Sequence, residues 1–150
     1  MKKTEIALGG IVLAGIILRT LNLPGNGIII VLSMTILAMM YYLLGFAVFN
    51  NIELRGIFQK VSYKKTTALE IILAVFAGII IASLAMGILF NLQSYPGREL
   101  MLLTGLIATG LVLLISLVSY LVSGSGFSKR VLSRAVVFVF AGLVVQFLMP

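Results

Sequence analysis

The feature that most constrains the fold is an apolar run over residues 27–49 that contains no charged side chain. An α-helix rises about 1.5 Å per residue, so a run of this length crosses the roughly 30 Å hydrocarbon core of a bilayer. Barrel strands would instead be about ten residues long and alternate in polarity. Similar stretches recur, and we predict an all-α bundle of five transmembrane helices in a single domain, 1–150, with helices over about residues 5–22, 27–49, 68–90, 100–122 and 131–149.

The composition agrees with a membrane protein. The chain is 61% hydrophobic and 10% charged, with a mean hydropathy of +1.23. Soluble domains have about 45–50% apolar and about 25% charged residues. Such an apolar surface needs lipid around it, so we expect membrane lipids among the partners of the chain.

Basic residues mark one side of the membrane. The segment between the second and third predicted helices holds four of them, Arg55, Lys60, Lys64 and Lys65. If the amino terminus is cytoplasmic, all eleven bases except Arg19 and Arg98 lie inside, as the positive-inside rule requires. The sequence therefore predicts a multi-pass protein of a bacterial inner membrane, with its carboxyl terminus outside. The net charge of +7 does not indicate nucleic acid, because the bases form short clusters between apolar runs.

The residue types that are missing exclude several chemistries. The sequence has no Cys and no His, so the usual zinc, haem and iron–sulfur ligand sets cannot be built from it. It has no Asp either, and the common serine triad is therefore impossible. We expect no catalytic residues, no cofactor and no metal.

Few ionisable residues fall inside the predicted helices, and each is a functional hypothesis by default. We predict an ion pair between Glu70 and Arg134, across the third and fifth helices, with Glu5 nearby. The alternative for Glu70 is local, since an acid at the start of a helix is favoured by the helix dipole. Arg19 lies close to a helix end, from which a long side chain reaches the interface.

The polar residues and the small residues each have two possible roles. A transport cavity would need polar lining, for which the candidates are Tyr41, Tyr42, Thr104, Thr109 and Ser116; hydroxyls can equally bond back to their own helix. Small residues at four-residue spacing, such as Ala74, Gly78 and Ala82, allow helices to approach closely. They indicate packing within one monomer or contact in a homo-oligomer.

The sequence also contains a short repeated pattern. Lys-Lys-Thr occurs at residues 2–4 and 64–66, and Pro-Gly turns follow the first and third predicted helices at Pro24 and Pro96. The pattern predicts two parallel hairpins plus one helix, an arrangement found in some transporters. The alternative is convergence, because both motifs are common at helix ends.

The first hairpin, with Leu-Arg-Thr-Leu-Asn-Leu-Pro-Gly at residues 18–25, resembles small Bacteroidota membrane proteins related to the gliding-motility motor channel. That family forms a proton-driven channel with a partner subunit. It has a basic residue and a histidine near the end of helix 1 and an acid in helix 2. Arg19 matches the basic position, but Asn22 replaces the histidine and helix 2 has no acid. The resemblance therefore implies a related hairpin without the proton-conducting residues.

These observations predict a small non-catalytic integral membrane protein, a subunit or accessory protein of a membrane complex. Its partners would be lipids, other membrane subunits or a second copy of the chain. The alternative is a small transporter or channel for an apolar or lipidic substrate. An intramembrane enzyme is a third hypothesis, for which Glu70 is the one well-placed acid–base group.

Overall fold

A computed structural model describes residues 2–64 and 66–148. The described residues form five α-helices and no strand: α1 Lys2–Thr20, α2 Asn26–Phe49, α3 Ala68–Leu92, α4 Arg98–Ser123 and α5 Gly126–Leu148. Two short 3₁₀ helices, Leu54–Gly56 and Lys60–Tyr63, lie between α2 and α3. The all-α prediction is thereby confirmed.

Four of these helices, α2 to α5, are long and apolar enough to cross a membrane by length and composition. The first helix is less apolar, since Lys2, Lys3, Glu5 and Arg19 fall within its 19 residues. The structure therefore supports four of the five predicted spans on this criterion.

The last helix begins earlier than the sequence predicted. The predicted fifth helix begins at residue 131, but α5 starts at Gly126. Ser125 caps it, because its hydroxyl accepts from the Phe127 N–H at 3.2 Å. Gly124, with φ +62°, ends α4 immediately before. Arg134 therefore lies about 12 Å along α5 rather than at its first turn.

Helix α3 forms the centre of the bundle and packs against α2, α4 and α5, whereas α1 packs along α2. Glycines bring backbones into contact: a Cβ built on Gly78 would lie 2.5 Å from the Tyr41 carbonyl oxygen, and one built on Gly105 would lie 2.8 Å from the Leu84 Cα. Ala74 and Ala82 are buried with Gly78. This series therefore packs within the monomer.

The two Pro-Gly turns share a backbone hydrogen bond that closes the end of the preceding helix. The Leu23 N–H donates to the Leu18 carbonyl at 2.9 Å, and the Tyr95 N–H to the Phe90 carbonyl at 3.0 Å. Gly25 and Gly97 then adopt left-handed conformations, with φ of 84° and 78°, and cap the next helix. Glycine suits both positions because side chains disfavour positive φ.

Candidate functional site: an ion pair inside the helical bundle

The ion pair joins Glu5 of α1 to Arg134 of α5. The Arg134 Nε donates to both carboxylate oxygens, at 3.0 Å and 3.2 Å, and its Nη2 donates to Oε2 at 3.0 Å. Only 10% of the Arg134 side chain and 21% of the Glu5 side chain are exposed. Such forked, charge-assisted contacts are stronger than neutral hydrogen bonds and fix the relative orientation of the two groups.

Tyr41 of α2 completes the cluster. Its side chain is fully buried, and its hydroxyl donates to Glu5 Oε1. The three residues meet because α1 and α5 begin at the end of the bundle where α2 finishes. One carboxylate thus joins the consecutive helices α1 and α2 to α5, at the other end of the sequence.

Aromatic rings surround the charges. The Arg134 guanidinium carbon lies 5.5 Å from the centre of the Phe49 ring, within range of a cation–π contact. The Tyr41 ring meets the Phe138 ring edge-on, with centroids 5.2 Å apart. Because these rings exclude water, the attraction between Glu5 and Arg134 is screened less than at a surface.

Arg130 ties α5 to the end of α2. Its Nε donates to the Phe49 carbonyl at 2.5 Å, one of the final helix carbonyls that have no intrahelical partner. The carbonyl of Arg130 in turn accepts from Arg134 Nη1 at 3.4 Å. Sequence reasoning missed this contact because it placed Arg130 in a loop.

Glu70 is not the partner of Arg134, so that part of the predicted ion pair is wrong. Its carboxylate accepts from the Thr67 N–H at 3.0 Å, and its own N–H donates to the Thr67 hydroxyl at 3.2 Å. The two residues form a capping box at the start of α3. Thr-x-x-Glu before an apolar run is the sequence signature of that motif, so the local alternative could have been recognised.

The five residues considered as a cavity lining are dispersed. Tyr41 is in the ion-pair cluster, and Thr104 donates to the carbonyl of Leu100 at 2.8 Å. Thr109 is fully buried, and its hydroxyl has no hydrogen-bond partner among the described residues. Tyr42 and Ser116 line two separate grooves. The common cavity that the transporter alternative would require is therefore not formed by these residues in the described part of the chain.

The two grooves are lateral and mainly apolar. The one beside Tyr42 has a volume of about 380 Å³ and lies between α2 and α3, with Met101 of α4 at its edge. The one beside Ser116 has about 230 Å³ and lies among α3, α4 and α5. In the second groove the hydroxyls of Ser119 and Ser128 are 2.8 Å apart and bond to each other. Both surfaces are suited to hydrocarbon chains.

The described residues contain no group of three or more His, Cys, Asp or Glu that could hold a metal ion. No protein-family model matches the sequence, and comparisons with curated proteins and solved structures gave no significant match. The resemblance of the first hairpin to the motor-channel group therefore stays a prediction. What the site can do follows from its own geometry, in which charged groups cross-link helices.

Proposed function

We propose that this chain is a non-catalytic integral membrane protein that acts as a subunit or accessory protein of a membrane complex. The observation that carries the proposal is that the charged groups inside the bundle bind to other helices of the same chain. Glu5 accepts from both Tyr41 and Arg134, and Arg134 also contacts the Arg130 carbonyl. These groups serve as cross-links that stabilise one arrangement of helices.

The packing of α3 supports the same role. Gly45 and Gly78 bring α2 and α3 into backbone contact, and Gly87 does the same for α3 and α4 at Leu102. A centre filled in this way favours a rigid scaffold. Its outer surface is apolar, with Ile107, Ile115 and Val118 of α4 all exposed. Lipids or the helices of a partner would cover that surface.

We further propose that all five helices cross the membrane, with α1 entering from the cytoplasm. The ion pair with Arg134 offsets the charge of Glu5. Lys3 and Arg19 lie near the two ends of α1, and their long side chains can reach the membrane interfaces from there. Arg55 and Lys64 of the α2–α3 segment lie at the end of the bundle that also holds the start of α1 and α5. The positive-inside rule makes that end cytoplasmic and puts the carboxyl terminus outside.

Third, we propose that the hairpins α1–α2 and α3–α4 are equivalent to each other. Gly15 lies close to Ile30 in the first hairpin, and Gly87 lies close to Leu102 in the second. Both pairs keep the same spacing from their Pro-Gly turn. These matching contacts support two parallel repeats, α1–α2 and α3–α4, followed by α5. The Lys-Lys-Thr motifs do not share this spacing, so the support comes from the turns.

The groove beside Tyr42 favours a second candidate, a transporter or binding protein for a lipidic molecule. It is lined by apolar residues together with the hydroxyl groups of Thr35, Tyr42 and Ser83. A long-chain lipid with a small polar group fits this chemistry. The two functions differ in what stays bound to the purified protein.

The experiment is photo-crosslinking in the native membrane. A photoreactive residue at Ile115, which is 68% exposed, should give a discrete cross-linked protein, whereas the same residue at Ile81, which is fully buried, should give none. The product is then identified by mass spectrometry after purification in mild detergent. Recovery of a stoichiometric lipid with no protein partner would contradict the subunit proposal and favour the second candidate.

A further inference from the structure

We call residues 50–67, between α2 and α3, the interhelical segment, and it is folded over its described residues 50–64 and 66–67. Its backbone forms successive turns, including Gly56 N–H to the Glu53 carbonyl at 2.8 Å and Gln59 N–H to the Gly56 carbonyl at 3.0 Å. The Tyr63 hydroxyl donates to the Ile57 carbonyl at 2.7 Å. These contacts hold the middle of the segment in one arrangement.

This arrangement points one aromatic ring outward. Ile52, at the start of the segment, is 5% exposed, whereas Phe58 is 95% exposed. A fully hydrated phenylalanine on an ordered turn forgoes the free energy of burying its apolar surface. Phe58 therefore presents an apolar group that a second surface could cover.

Basic residues flank Phe58. Arg55 and Lys64 are both exposed, and by sequence the segment carries four bases against the single acid Glu53. An aromatic side chain among bases is typical of segments that lie in the headgroup region of an anionic membrane. Helices α2 and α3, both able to span a membrane, anchor the segment at its two ends and keep it beside that surface.

We propose that the interhelical segment binds the surface of an anionic bilayer, with Phe58 inserted among the lipid headgroups and Arg55 and Lys64 contacting lipid phosphates. The segment then acts as a second, interfacial attachment of the bundle to the membrane. Phe58 supplies apolar area, and the bases make the attachment depend on anionic lipid. The interhelical segment is a surface distinct from the ion pair and from the outer face of α4.

The test uses the fact that the chain contains no tryptophan. Phe58→Trp introduces a single fluorophore at the proposed contact, and Gln59→Trp places the same fluorophore at the next residue, which is also exposed. Each full-length variant is reconstituted into vesicles of phosphatidylcholine with or without phosphatidylglycerol. Brominated lipids quench a tryptophan in the bilayer, and acrylamide quenches one in water.

In anionic vesicles the tryptophan of Phe58→Trp should emit at shorter wavelength than that of Gln59→Trp. Acrylamide should quench it about twofold less, as expected for a side chain at the headgroup boundary. Lipids brominated near the headgroup should quench it most. Adding Arg55→Gln and Lys64→Gln should remove the dependence on phosphatidylglycerol.

Two results would overturn the proposal. Equal, water-like emission and acrylamide quenching for both variants in both vesicle types would show that Phe58 faces water. A shielded Phe58→Trp that brominated lipids do not quench would show that protein covers it; loss of shielding on dilution into excess lipid would then identify a second copy of the chain. Because Phe58 is so exposed, its replacement should leave folding unchanged.

Discussion

At the scale of single residues, two acids at equivalent helix positions have different roles because they have different partners. Glu70 lies at the start of α3 and forms a capping box with Thr67. Glu5 also lies in the first turn of its helix, but it bonds to Arg134 and Tyr41 from two other helices. A buried charge left without its partner is strongly destabilising, whereas replacing both partners is much milder.

We therefore predict strong coupling between Glu5 and Arg134. Glu5→Gln or Arg134→Met alone should each lower the free energy of unfolding by roughly 3 kcal/mol, because each leaves one uncompensated charge. The double variant should cost clearly less than the sum of the two single changes. Circular dichroism during unfolding in mild detergent gives the free energy of unfolding of all three variants. Their differences from the unchanged protein give the coupling energy between Glu5 and Arg134.

Glu70 provides the matched control. Glu70→Gln combined with Arg134→Met should be additive within about 0.5 kcal/mol, because the two residues share no contact in the structure. Glutamine can also complete the capping box with Thr67, so the single change at Glu70 should be mild. Coupling of Arg134 to Glu70 and not to Glu5 would show that the sequence-based pairing was right and the observed one wrong.

At the scale of helices, stability depends on where glycine allows close approach. Gly78 leaves no room for a methyl group beside the Tyr41 carbonyl, whereas a Cβ on Gly110 of α4 would meet nothing within 4 Å. Both are glycines inside apolar helices, although Gly78 belongs to a series of small residues at four-residue spacing and Gly110 does not. Only the neighbouring helix makes one of them essential.

We predict opposite effects for the two matched substitutions. Gly78→Ala should destabilise the bundle by about 1–3 kcal/mol through overpacking of α2 against α3. Gly110→Ala should leave stability unchanged or raise it by up to about 0.5–1 kcal/mol, since alanine is the better helix former. Thermal unfolding in the same detergent measures both. Equal effects would mean that α2 and α3 do not meet at Gly78.

At the scale of the whole molecule, the charges should fix the orientation. The chain contains no cysteine, so a single introduced thiol reports on one site. Gln59→Cys lies in the interhelical segment and Glu99→Cys lies at the start of α4, and both positions are exposed. We predict that a membrane-impermeant maleimide labels Glu99→Cys in intact spheroplasts and labels Gln59→Cys only after permeabilisation. The reverse pattern would overturn the proposed topology.

The sequence by itself determined the all-α class and the approximate bounds of α2, α3 and α4, because long apolar runs must satisfy their backbone groups internally in lipid. It also contained the local signals for the cap at Thr67 and for the Pro-Gly turns, which depend on neighbouring residues only. The early start of α5 at Gly126 was missed because the Ser125 cap lies in a polar, glycine-rich stretch.

The tertiary structure alone decided which groups meet. Periodicity and charge place Glu5, Glu70 and Arg134 near the same end of the bundle, but they do not give the rotation of each helix about its axis. That rotation follows from packing at positions such as Gly15 of α1, which meets Ile30, and Gly142 of α5, which meets Leu106. It brings Arg134 to Glu5 and separates the polar residues that were candidates for the lining of one cavity.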